Sequence, residues 1–119
     1  MTELSATARV QFNTLKIICA EALADLADRL KEAIADRDEA LKRAIIDRIQ
    51  ALNGKVLEIR QAEIAYLNAT LADDLALKRL QGAIRSADAG LKKMQKLQTV
   101  LEGAAKLLVV LTKLAKQFV

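Results

Sequence analysis

The sequence contains no histidine, no proline and no tryptophan, and it has a single cysteine, Cys19. Without histidine and with one thiol, the chain cannot assemble the common acid-base, nucleophilic or transition-metal sites from its own residues. The di-iron carboxylate sites of helical bundles are excluded as well, because they need Glu-x-x-His pairs. We therefore expect a protein that is not an enzyme and that has no catalytic residues, no metal site and no cofactor.

Glycine and aromatic residues are also scarce. The four glycines stand singly at 54, 82, 90 and 103, so the chain has no Gly-rich loop that could cradle a phosphate. Phe12, Tyr66 and Phe118 are the only aromatic residues, too few for a platform on which bases stack. Acidic residues are interleaved with the basic ones through most of the chain. Nucleic acid is therefore not an expected partner.

What is abundant is Ala and Leu, with Glu, Lys, Arg and Gln among them, and 53% of the chain is hydrophobic. This composition is typical of long or coiled helices. A length of 119 residues fits one domain, which we expect to cover residues 1–119. We predict an all-α fold: a long antiparallel helical hairpin or a three-helix bundle with coiled-coil-like packing.

Two stretches with glycine divide the chain into three predicted helices, roughly 5–52, 55–85 and 88–118. Asn53 and Gly54 offer the left-handed conformation that ends helices, and residues 86–90 offer a second turn where Ser86 or Asp88 caps a new helix. One alternative stays open, because a row of apolar residues recurs every eleven positions and continues in phase past Gly54, as in an unbroken helix. The row is Phe12, Leu23, Ile34, Ile45, Val56 and Leu67.

The C-terminal helix, residues 91–119, is predicted to be amphipathic and basic. After residue 85 the chain has six Lys against Asp88 and Glu102, whereas residues 1–85 carry equal numbers of acidic and basic side chains. The apolar spacing here is seven, as in an ordinary left-handed bundle, and one row is Leu80, Ala87, Met94, Leu101, Leu108 and Ala115. The residues that we assign to a partner or membrane surface are Leu107, Leu108, Val110, Leu111, Leu114 and Phe118, with Lys106, Lys113 and Lys116 beside them.

Two functional hypotheses follow from these patterns. The leading one is a non-enzymatic structural or interaction protein, a homo-oligomer or a protein that packs against partner helices, because long apolar stripes need a covering surface. The alternative is a membrane-active protein, peripheral or a component of a pore, that acts on an anionic membrane through residues 91–119. Lysines interrupt the apolar runs, so we expect no transmembrane span. We also expect no cleaved signal peptide and a cytoplasmic location by default, with signal-less export left open.

Overall fold

The computed structural model describes residues 3–68 and 74–118, with side chains placed for residues 6–66 and 77–116. Within these ranges the chain forms four α-helices. They are α1 (Glu3–Ala35), α2 (Glu39–Asn68), α3 (Asp74–Met94) and α4 (Val100–Phe118), with a 3-10 turn at Leu97–Thr99 just before α4. The predicted all-α bundle is confirmed, with four helices in the described ranges where two or three were expected.

The helices pack as two hairpins laid side by side, α1 with α2 and α3 with α4. Because α1 and α4 each pack on both α2 and α3, the order around the bundle is α1, α2, α4, α3. Arg29, near the end of α1, donates to the carbonyl of Gln95, just past the end of α3, so these two helices end at the same end of the bundle. With 33 residues in α1 and 21 in α3, the first hairpin is longer by roughly 18 Å.

The first hairpin turns in the three residues between α1 and α2. Arg37 has a φ of 58°, and its amide donates to the carbonyl of Ile34 at 3.1 Å, while the amide of Asp38 donates to Ala33 at 3.0 Å. This pattern is a Schellman motif, which satisfies the last carbonyls of a helix. The carboxylate of Asp38 accepts the amide of Leu41 at 3.0 Å and so caps α2. The turn therefore closes one helix and starts the next without a glycine.

The predicted turn at Asn53 and Gly54 is wrong, because α2 passes through both residues without interruption. Packing explains this result. Four large side chains at intervals of seven residues, on both sides of Gly54, are 3% exposed or less: Ile45, Leu52, Ile59 and Tyr66. Burying each one stabilises the fold by roughly 1.5–3 kcal/mol. That gain outweighs the cost of about 1 kcal/mol for glycine within a helix.

The second predicted turn, at residues 86–90, is also wrong, because α3 continues to Met94. Leu80, Ala87 and Met94 form a buried row along it, as the seven-residue spacing predicted. Gly90 serves close packing rather than a turn, since a Cβ there would lie 3.0 Å from the carbonyl oxygen of Gly103 on α4. The predicted helix bounds of 5–52, 55–85 and 88–118 are therefore replaced by those of α1 to α4.

Replacing Gly54 by Ala is expected to stabilise the protein by up to about 1 kcal/mol. A Cβ at this position would meet no heavy atom within 4 Å, and the φ of Gly54 is not positive. Alanine therefore adds helix propensity without a clash. Urea unfolding followed by far-ultraviolet circular dichroism measures the change, and Gly82→Ala, where a Cβ also meets open space, is the companion variant. A loss of stability at Gly54 would favour the turn over the continuous helix.

Replacing Asp38 by Ala is expected to cost about 1 kcal/mol, because the first turn of α2 loses the carboxylate that accepts the amide of Leu41. The matched control is Asp36→Ala, two residues earlier in the same turn, where the side chain is exposed. We expect the control to change the free energy of unfolding by less than about 0.5 kcal/mol. Equal effects from the two variants would contradict a specific capping role for Asp38.

Candidate interaction surfaces

The thiol of Cys19 lies in the bundle core and is 2% exposed. Burial raises its pKa to about 11, so at neutral pH Cys19 is a small protonated hydrophobic group. Burial also raises the pKa of Asp25, with Arg29 opposing the shift and Asp28 adding to it. In the part of the chain that the structure describes, no three His, Cys, Asp or Glu side chains form a group that could hold a metal ion.

The structure brings the predicted surface residues of α4 together, but it places the apolar ones in the bundle core or at its edge. Leu107, Leu111 and Leu114 are buried, Leu108 and Val110 are half-buried, and Lys106, Lys113 and Lys116 are exposed. The side chain of Phe118 lies outside the described ones. Contact between this apolar surface and a membrane requires α4 to leave the bundle, so insertion of α4 stays a prediction.

Large apolar side chains are exposed mainly on the first hairpin. Among the side chains that the structure describes, six large hydrophobic ones are more than half exposed, and five of these belong to α1 or α2. Val10 and Ile17 are 60% and 59% exposed, Leu57 and Ile64 are 60% and 61% exposed, and the fifth is Ile34. Exposed apolar side chains that cluster in this way mark interaction sites.

Four of these side chains, those of Val10, Ile17, Leu57 and Ile64, share the side of the first hairpin that is turned away from α3 and α4. Lys16 and Glu63 form an ion pair of 2.5 Å across the two helices, which marks the line where α1 meets α2. Ile17 and Ile64 each follow a member of that pair, and at 3.6 residues per turn both point away from the line. Since α3 and α4 cover the other side, the exposed residues lie on the open one.

Small residues extend this surface along α1. Exposed positions there alternate at intervals of three and four, which is the spacing of a heptad seam. They are Ala6, Val10, Asn13, Ile17, Ala20, Ala24, Ala27, Lys31 and Ile34. We call Val10, Ile17, Leu57 and Ile64, with the exposed alanines of α1, the outer face of the first hairpin. The sequence prediction missed this seam, because most of its members are small or polar and hydropathy alone does not mark them.

The second hairpin carries a strongly basic surface. Residues 74–118 contain nine Lys or Arg against Asp74, Asp88 and Glu102, whereas residues 3–68 contain ten against eleven Asp or Glu. Among the described side chains of the second hairpin, the ion pairs are those of Lys92 with Asp88 at 3.5 Å and of Lys93 with Glu102 at 2.9 Å. Most of its positive charge is therefore uncompensated.

A shallow groove of about 250 Å³ runs between α3 and α4 on this basic surface. Gly82 has no side chain to fill the groove, and a Cβ at that position would have no heavy atom within 4 Å. Val109, the sixth of the exposed large hydrophobic residues, lies in the same groove. The lining residues are Arg79, Gly82, Ala83, Ser86, Val109, Val110, Lys113 and Leu114. The groove thus combines an apolar floor with two cationic side chains.

Among the helices in residues 3–68 and 74–118, none has the combination of length and hydropathy that crossing a membrane requires. Comparison of the chain with protein-family models, with curated proteins and with solved structures finds no match.

Proposed function

We propose that this protein is a non-enzymatic helical interaction protein that assembles with a second copy of itself through the outer face of the first hairpin. One observation carries the proposal: Val10, Ile17, Leu57 and Ile64 are each about 60% exposed on one side of the bundle. Removing such apolar surface from water is favourable by roughly 25 cal/mol per Å². A covering partner is therefore the state that this surface favours.

A second copy suits the outer face because the apolar residues of α1 and those of α2 lie at matching levels along the hairpin. Counted from the pair of Lys16 with Glu63, Leu57 on α2 lies level with the alanines at 20 and 24 on α1. A two-fold axis parallel to the helices would set α2 of each copy against α1 of the other, so that Leu57 meets the alanines and Ile64 meets Ile17. A face about 40 Å long and two helices wide offers roughly 800 Å² per copy, which is the size of a standard interface.

Sedimentation equilibrium of the full chain at micromolar concentration tests this proposal. We expect a mass of at least twice the 13.0 kDa of one chain, and we expect the double variant Ile17→Ser with Leu57→Ser to shift the protein to monomer, because both side chains lose apolar area to bury. The matched control is Val109→Ser, which changes a 53% exposed side chain on the second hairpin and should leave the mass unchanged. A well-folded wild-type monomer would contradict self-assembly.

A further inference from the structure

We propose that the second hairpin docks on an anionic lipid bilayer while the four-helix bundle stays folded. The docking surface is its solvent-exposed side, which carries Arg79, Lys106, Val109 and Lys113. The cations that carry this inference are Arg79, Lys106 and Lys113, which are exposed and make no ion pair with any side chain that the structure describes. They surround Val109, which is 53% exposed. This surface lies on the other hairpin from the outer face of α1 and α2, so the inference does not depend on self-assembly.

The geometry places the three cations and the valine on one side of the molecule. Arg79, Lys113 and Val109 line the same groove between α3 and α4. Lys106 and Lys113 lie three residues before and four residues after Val109 in an unbroken helix, and residues at these spacings share a helix face. Helices of 21 and 19 residues lying side by side make a surface roughly 30 Å long, over which a planar bilayer can be contacted at several points.

A lipid surface fits this face better than a nucleic acid does. Each cation near an anionic leaflet is attracted by its surface potential, and an exposed valine between the cations can enter the boundary between headgroups and acyl chains. On a nucleic acid, the same valine would instead lie against the charged phosphate backbone and would find no apolar layer to enter. Phe12 and Tyr66, which could stack on bases, are buried in the first hairpin. The observations therefore favour a bilayer that presents negative headgroups above apolar chains.

This docking differs from insertion of α4, because it leaves the apolar side of α4 in the core. Leu107, Leu111 and Leu114 stay buried between helices, and the contact is made by side chains that already face solvent. Binding should therefore fall as salt is added, since the attraction between exposed charges is screened. It should also leave the helical content of the protein and the contents of the vesicles unchanged.

Co-flotation of the full chain with vesicles tests the inference. We expect binding to vesicles of phosphatidylserine and phosphatidylcholine and none to phosphatidylcholine alone. The triple variant Arg79→Gln, Lys106→Gln, Lys113→Gln should lower the partition coefficient by roughly a hundredfold, because three attracted charges are lost. The matched control is Arg9→Gln, Arg37→Gln, Arg43→Gln, which removes the same charge from exposed positions of the first hairpin outside its apolar outer face and should lower binding by less than about threefold.

Four outcomes would overturn the inference. They are the absence of binding at low salt, equal losses in the two triple variants, release of a dye trapped in the vesicles, and tighter binding of duplex DNA than of the anionic vesicles at equal ionic strength. Equal losses in the two variants would mean that net charge alone explains binding. Dye release would favour insertion of α4, and tighter binding of DNA would favour nucleic acid as the partner. Circular dichroism of each variant verifies folding. A monomer that still binds vesicles would contradict self-assembly and leave this inference standing.

Discussion

Replacing Phe12 by Ala is expected to lower the free energy of unfolding by about 3–5 kcal/mol, because truncating a buried aromatic ring loses its burial and leaves a cavity. Phe12 on α1 is fully buried, and its ring and the Tyr66 ring on α2 meet in an edge-type contact, with 5.7 Å between the ring centroids and an interplanar angle of 62°. The cavity lies where α1 and α2 pack together, and the aromatic pair is lost with it. Such a loss is a large part of the 5–15 kcal/mol that stabilises a typical domain.

Urea unfolding followed by tyrosine fluorescence measures this effect, because Tyr66 is the one tyrosine of a chain without tryptophan and its side chain is 3% exposed. The matched control is Val109→Ala, which shortens an exposed side chain on α4 and should change the free energy of unfolding by less than about 0.5 kcal/mol. Both variants are compared at one protein concentration, since assembly adds to apparent stability. A cost below about 1 kcal/mol at Phe12 would contradict close packing of α1 on α2.

Replacing Gly103 by Ala is expected to cost about 2 kcal/mol or more, because the substitution overpacks the contact between α3 and α4. A Cβ on Gly103 would lie 2.5 Å from the carbonyl oxygen of Gly90, 2.8 Å from the Cγ of Met94 and 2.9 Å from the Cβ of Lys93. The carbonyl belongs to the backbone of a helix and cannot move without displacing α3. The helix propensity that alanine adds, about 1 kcal/mol, offsets part of this cost.

The turn beside Gly103 holds α3 and α4 together, so the helices cannot separate freely to admit a methyl group. The hydroxyl of Thr99 donates to the carbonyl of Lys93 at 2.5 Å, and the ammonium of Lys93 pairs with Glu102 at 2.9 Å. Gly90→Ala is the graded comparison, because its nearest contacts are longer, at 3.0 and 3.3 Å, and a smaller loss is expected. If Gly103→Ala were as stable as the wild type, the close approach of α3 to α4 at this glycine would be contradicted.

The sequence predicted the fold class and the amphipathic character of α4, but not what each side of α4 contacts. Lys106, Lys113 and Lys116 are exposed on α4, as expected for the polar side of an amphipathic, basic helix. Leu107 and Leu111, which the apolar spacing of the same helix assigned to a partner or membrane surface, are instead buried against the bundle's own helices. Helical periodicity shows which residues share a side of a helix, but the packing of the helices decides whether that side contacts solvent or another helix.

Helix formation and the spacing of apolar residues were determined by the sequence alone, because both depend on residues within a few turns of each other. For that reason the seven-residue spacing predicted the row of Leu80, Ala87 and Met94, which is buried. The position of the first turn was not predicted correctly. Asn53 and Gly54 permit a turn, but the chain turns at Arg37 and Asp38. Burying the apolar row on both sides of Gly54 stabilises a continuous helix by more than the glycine destabilises it.

Tertiary structure also decided which side of α1 is covered. Two apolar rows run along this helix: one contains Phe12, Leu15, Cys19 and Leu26, and the other contains Val10 and Ile17. The first is buried against α2 and α3, and the second faces solvent. Periodicity states that the members of a row share a side of the helix, but not which row will meet neighbouring helices. That choice depends on contacts between segments far apart in the chain, and it leaves Val10 and Ile17 as the surface on which assembly is proposed.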